Sequence, residues 1–246
     1  MPARHLYFIM TNTWNRLALL IFAVLSLLVA GELQAGVVVG GTRFIFPADR
    51  ESISILLTNT SQESWLINSK INRPTRWAGG GEASTVPALL LAAPPLILLK
   101  PGTTGTLRLL RTESDILPVD RETLFELSIA SVPSGKVENQ SVKVAMRSVF
   151  KLFWRPEGLP GDPLEAYQQL RWTRNSQGVQ LTNPTPYYIN LIQVSVNGKA
   201  LSNAGVVPPK SQRQTNWCQV IAPCHVAWRT INDYGGLSAK KEQNLP

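Results

Sequence analysis

Between Ser141 and Pro156 (S-V-K-V-A-M-R-S-V-F-K-L-F-W-R-P) the chain changes its hydropathy pattern in mid-strand. Val142, Val144 and Met146 alternate with Lys143, Ala145 and Arg147, the period of two that puts three apolar side chains on one face of a strand. From Val149 to Trp154 every residue but Lys151 is apolar, the pattern of a strand covered on both faces. The spacing therefore predicts one strand of roughly 14 residues, against a usual length of about 5–6, half exposed at its start and buried at its end. Lysines are rarely buried unless paired, so Lys151 requires either a local carboxylate or an anionic partner.

The remaining pattern is short apolar runs bounded by Pro, Gly, Asn and Asp, with 17 glycines, 18 prolines and only 16% charged residues among 246. No amphipathic helical stretch persists beyond about 10 residues, so the expectation is all-β, with room for two domains of about 100–120 residues. The start is set apart. Arg4 and Arg16 precede an apolar stretch from Leu17 to Ala30 that falls short of the about 20 residues a spanning helix needs. Residues 1–35 are expected to be a secretory signal cut after Ala30 or Ala35, the latter preferred because Gly36-Val37-Val38 then opens a strand; an uncleaved anchor is the alternative.

An exported chain narrows the chemistry. The net charge of +8 is scattered, without the basic-aromatic clusters of nucleic-acid binding. Cys218 and Cys224, in an oxidising compartment, are expected to form one disulfide; further metal ligands are lacking, since His225 is the one histidine left once His5 goes with the signal. No paired catalytic carboxylates, nucleophile motif or phosphate loop appears, so neither an enzyme nor a metal or other cofactor is expected.

Along the chain, Gly36–Phe46 reads as a first strand, with Arg43 an unexpected charge between apolar neighbours and a second candidate anchor. Strands follow at Ser52–Asn59 and Ser64–Ile71, then Arg73–Pro87 reads as a mobile surface loop. Leu89–Leu99 contains Pro94-Pro95 and must be an edge strand or one that switches sheets. Thr104–Leu110 and Glu122–Val132 are further strands. Seven or eight strands in about 120 residues match an immunoglobulin-like sandwich. Residues 155–162, rich in Pro and Gly, read as a linker between domains at 36–154 and 163–246. In the second, Gln169–Thr173 and Gly178–Thr182 pair as a hairpin, Tyr187–Val196 ends in the Asn197-Gly198 turn, Gln212–Val220 and Val226–Thr230 are strands, and the tail after Gly236 reads as loose.

With T-R-F-I-F-P (Thr42–Pro47), P-V-D-R-E-T-L-F-E-L (Pro118–Leu127), K-L-F-W-R-P (Lys151–Pro156), N-P-T-P-Y-Y (Asn183–Tyr188) and I-N-D-Y-G-G (Ile231–Gly236), the sequence resembles the periplasmic pilus (fimbrial) chaperones of the bacterial chaperone–usher pathway. These pieces occur in the family's order and span nearly all of the chain after the signal. The short Pro133–Gln140 loop resembles the branch serving rod-like pili. The resemblance implies two immunoglobulin-like β-sandwich domains set in an L (boomerang), in the periplasm, without cofactor. Arg43 and Lys151 match the two cleft cations that hold a subunit's C-terminal carboxylate; an internal ion pair is the other reading of Lys151. Val142, Val144 and Met146 match the donor strand lent to an incomplete subunit; ordinary core packing is their other reading. Glu122, Arg155 and Asp233 match an ionic set that fixes the interdomain angle. Implied partners are pilus subunits and an outer-membrane usher, with neither nucleic acid nor membrane insertion, and free chaperone self-capping as a dimer stays open. The competing readings are an immunoglobulin-like adhesion component and an orphan paralogue, the second motivated by the poor fit of Asn72–Leu99.

Overall fold

A computed structural model describes residues 36–79, 90–112, 117–135, 144–219 and 223–246. The expected signal segment with Ala30 and Ala35, and the donor residue Val142, lie outside the described residues. Gly36–Pro246 group into one compact unit containing two β-sandwiches.

The first sandwich is built from β1 (Val37–Val39), β2 (Arg43–Pro47), β3 (Ser52–Asn59), β4 (Trp65–Asn72), β5 (Leu90–Ala93), β6 (Leu96–Leu99), β7 (Thr104–Arg111), β8 (Thr123–Pro133) and β9 (Met146–Arg155). They form two sheets, in the orders β1-β3-β7-β5 and β2-β9-β8-β4-β6. The count exceeds the expected seven or eight because the chain changes sheets twice. The expected single strand Gly36–Phe46 breaks at Gly40-Gly41-Thr42, so β1 joins one sheet and β2 the other. Pro94-Pro95 does the same between β5 and β6, each on an edge where a missing amide donor costs no ladder bond. Alternate residues of both sheets meet in a core that includes Leu57, Ile67, Leu107, Leu127 and Leu152, with Phe46 stacked on Trp154 at 5.3 Å.

The second sandwich has β10 (Arg171–Asn175), β11 (Gly178–Asn183), β12 (Ile189–Val196), β13 (Lys199–Ala200), β14 (Val206–Val207), β15 (Ser211–Thr215), β16 (Cys224–Thr230) and β17 (Lys241–Leu245). Its sheets run β10-β11-β15 and β13-β12-β16-β17, with β14 also on β12. The tail is not loose: β17 pairs with β16 from Cys224↔Leu245 to Trp228↔Lys241, and Leu245 enters the core. Its outer residues are polar because an edge strand faces water, which hid it in the pattern. The Cys218–Cys224 disulfide is formed, and Cys224 packs in that core.

Both sandwiches carry the same buried knot. Asn59 reaches the carbonyls of Glu63, Leu99 and Lys100 through Nδ2, while its Oδ1 accepts from the Ser61 amide and hydroxyl. Asn183 repeats this with the carbonyls of Tyr187, Val207 and Pro208 and with the amide and hydroxyl of Thr185. Each asparagine is fully buried and ties a turn to a segment distant in the chain through backbone groups.

Candidate functional site

β9 organises the site. Its described strand is shorter than expected, starting at Met146, with Val144 and Ala145 leading in without ladder pairing. Val144 and Met146 are exposed (63% and 50%), whereas Leu152, Phe153 and Trp154 are buried. The two-sided burial has a simple cause. Leu152 and Trp154 face the first core, and Phe153 faces the other way, packing with Leu124 and Val206 and lying 5.6 Å from the Tyr188 ring of the second sandwich. By the same alternation Met146 shares the face of Leu152, and Lys151 shares the face of Phe153.

The two sides of β9 are unequally covered. β8 pairs with it along its length, from Met146 to Trp154. β2 pairs with it in parallel only from Arg43↔Lys151 to Pro47↔Arg155. Among the described residues, Met146–Phe150 therefore has an open edge, which presents unpaired N–H and C=O groups. The edge closes where Arg43 and Lys151 stand side by side.

These two cations are half-buried and incompletely used. Arg43 donates from one terminal nitrogen to the Ile231 carbonyl at 2.8 Å, and its Nε is buried without a hydrogen-bond partner among the described residues. Burial lowers its pKa, opposed by the charge of Asp233. Lys151 makes no ion pair with any described carboxylate, contrary to the internal-pair reading, and its Nζ lies 4.7 Å from the centre of the Trp77 ring. Burial, with Arg43 as a second cause, pulls the ammonium down to about 8. In front of it a cavity of about 140 Å³ opens between the sandwiches, lined by Trp77, Lys151, Leu191, Gln193 and Asn203 among others. Gln193 sits at a bulge in β12 with φ 49°, which turns that stretch of strand into the cavity wall.

Glu122, Arg155 and Asp233 come together behind the cleft. Arg155 donates Nε to Glu122 at 2.7 Å and meets Asp233 Oδ2 at 2.8 Å, and the second Glu122 oxygen accepts from the Tyr188 amide at 2.7 Å. Burial raises the Glu122 carboxyl to about 7 against the pull of Arg155 and the Tyr188 amide. Burial acts to lower Arg155, but its bonds with Asp233 and Glu122 outweigh it and the net shift is upward. Lys210–Asp120 at 2.9 Å adds an exposed bridge between the sandwiches.

Sequence reasoning missed Arg76, Trp77 and Glu126. The part of the expected mobile loop that is described, Arg73–Gly79, does not hang free. Val206 donates its amide to the Ala78 carbonyl at 2.9 Å, and Trp77 packs against the Leu124–Phe153–Val206 cluster. A lone aromatic beside a glycine run was the available signal. Glu126 was visible as a charge in an apolar strand, but its place opposite Lys151 depends on strand register.

Residues 36–160 match the family described as pili and flagellar-assembly chaperone, PapD N-terminal domain, and residues 165–242 match the pili assembly chaperone PapD C-terminal domain. The chain belongs to the pili-assembly chaperone family, which is a chaperone class and not an enzyme class. The fimbrial chaperone YcbF of Escherichia coli K12 is 98% identical over 237 residues, covering 96% of this chain and 100% of that protein. The chaperone protein FimC of the same strain is 33% identical over 224 residues, 89% of each chain. The solved Salmonella enterica SafA pilin in complex with the SafB chaperone matches with a TM-score of 0.71 at 30% identity, covering 88% of this chain and 99% of that one. These matches run through both sandwiches and do not favour an adhesion component or an orphan paralogue.

Proposed function

We propose that this chain is exported to the periplasm with loss of residues 1–35. There it captures pilus subunits, folds and caps them by lending β9 and its lead-in, and hands them to an outer-membrane usher. The supporting observation is the open edge of Met146–Phe150 ending at the Arg43–Lys151 pair. A subunit strand added to this edge hydrogen-bonds to β9, and Val144, Met146 and, beyond the described residues, Val142 supply side chains for its groove. Its C-terminal carboxylate meets the two cations, so it runs parallel to β9 and cannot slide past the start of β2. Charge-assisted bonds to Lys151 and the Arg43 guanidinium fix its register. Glu122, Arg155 and Asp233 hold residues 36–154 and 163–246 at the angle that forms the cleft, with 155–162 as the link. The test is co-expression with pilus subunits and recovery from periplasm. Lys151→Ala and Arg43→Ala are expected to lose subunit recovery, and Val144→Asp to lose it separately. Wild-type recovery by both cation variants would overturn the anchor; unchanged recovery by Val144→Asp would overturn strand lending.

A further inference from the structure

Glu126 has no part in the anchor proposed above, yet it occupies a place from which it should abolish it. On β8 it lies directly opposite Lys151 of β9. Side chains so opposed share a face, with Cβ atoms about 4.5–5.5 Å apart, and a lysine and a glutamate in that position ordinarily pair. Here they do not. The Lys151 ammonium sits over Trp77, while Glu126 Oε1 lies 3.5 Å from Arg76 Nε. Glu126 is 5% exposed, and its Oε2 is buried without a hydrogen-bond partner among the described residues. The two groups that draw the pair apart are consecutive in the chain. They are held in place from the second sandwich by the Val206–Ala78 hydrogen bond.

We propose that the Arg76–Trp77 dipeptide keeps Lys151 and Glu126 from pairing, and so keeps the cleft ammonium open to an external carboxylate. The inference rests on the anchor reading and adds its regulation. An internal carboxylate one strand away competes at high effective concentration, and a closed Lys151–Glu126 bridge would cancel the charge that attracts a subunit terminus. Arg76 engages the competitor by supplying a positive charge 3.5 Å from Glu126 Oε1. Trp77 gives the ammonium a seat that it can leave, since the ring attracts it through its quadrupole and brings no negative charge of its own. The depressed Lys151 pKa agrees, its causes being burial and Arg43 with no carboxylate opposing them. Arg76 and Trp77 are thus positioning residues for Lys151.

The test uses the full chain as wild type, Lys151→Ala, Arg76→Gln, Glu126→Gln, Trp77→Leu and the Arg76→Gln/Glu126→Gln double variant. The probe is a synthetic peptide of alternating Val and Thr with a free C-terminal carboxylate, compared with its C-terminal amide. Two quantities are read: the carboxylate-over-amide affinity ratio, and the Lys151 ammonium titration followed by NMR without peptide. Arg76→Gln is expected to cut the ratio about tenfold, the loss of roughly one charge-assisted bond, and to move the Lys151 titration upward. Trp77→Leu moves both in the same direction, and adding Glu126→Gln to Arg76→Gln restores both. Unchanged titration and ratio in Arg76→Gln, or no restoration in the double variant, overturns the inference. A wild type with no carboxylate preference overturns the anchor reading instead, and the peptide-free titration still decides whether Arg76 separates the pair.

Discussion

Arg43 and Lys151 oppose each other across the parallel β2–β9 pair, two cations in adjacent strands with the lysine ion-paired to no described carboxylate. Like charges so placed are unfavourable in the free protein and become favourable when an anion bridges them.

That arrangement sets a pH dependence. The free Lys151 ammonium titrates near 8, below its ordinary 10.5, and a bound carboxylate raises it. Binding therefore takes up protons above about pH 8, and affinity is expected to be flat below 8 and to fall as pH rises beyond it. For the free protein the sign is opposite. The folded state holds fewer protons than the unfolded chain between about 8 and 10.5, so this group alone makes stability rise across that window. Titration calorimetry with a carboxylate-ended peptide at pH 9, in buffers of different ionisation enthalpy, measures the uptake. Zero uptake would remove Lys151 from the anion site.

Arg155 carries a larger energetic consequence. Glu122 is 4% exposed, and removing its partner leaves a buried carboxylate with only the Tyr188 amide to support it. Arg155→Ala is expected to cost about 3–5 kcal/mol in denaturant unfolding. Arg155→Met with Glu122→Gln should recover most of that, because the neutral amide oxygen still accepts from Tyr188, no charge is left at position 122, and the partly exposed Asp233 keeps the Arg43 charge nearby. Equal losses in the single and double variants would mean that packing, not charge, is what Arg155 supplies.

How far the sequence carried differs between fold and site. Strands with one wet face, such as β3 and β7, were legible because alternation reports burial directly. The sheet changes at Gly40–Thr42 and Pro94–Pro95 were legible only where proline forbids a ladder bond; the glycine pair gave no equivalent signal. β17 was missed because an edge strand with four exposed residues has no apolar period. At the site, Arg43 and Lys151 stood out as charges in apolar runs. Glu126 stood out equally, but which charge opposes which is set by a register spanning distant segments. Trp77 gains its role only through contact with the second sandwich, which no local pattern encodes.

The paired asparagine knots predict matched effects in both sandwiches. Asn183→Ala takes a partner from three carbonyls and two donors, of which the Tyr187 carbonyl and the Thr185 hydroxyl keep each other, a cost of about 3 kcal/mol, and Asn59→Ala should cost about the same. Asn183→Asp should be worse than alanine, since it keeps the acceptor but turns a negative oxygen toward three carbonyls. Thermal unfolding ranks the three. An aspartate variant as stable as wild type would mean that the donors of Nδ2 contribute little.

Gly205 tests how the Arg76–Trp77 segment is held. Its φ is +75°, and a Cβ there would stand 2.0 Å from the Ala78 carbonyl oxygen; across the contact Gly79, also at φ +75°, would place one 2.3 Å from the Val206 carbonyl oxygen. Two backbones can approach this closely only if neither carries a side chain. Gly205→Ala must therefore break the Val206–Ala78 hydrogen bond and add left-handed strain, together about 2 kcal/mol or more. Most of this falls on the contact and not on either core, so both sandwiches should still fold while Arg73–Gly79 detaches. Trypsin cleavage after Arg76, identified by fragment mass, is expected to accelerate at least about fivefold, following the increased population of the open segment. An unchanged cleavage rate, with folding intact, would show that the segment is held by Trp77 packing alone.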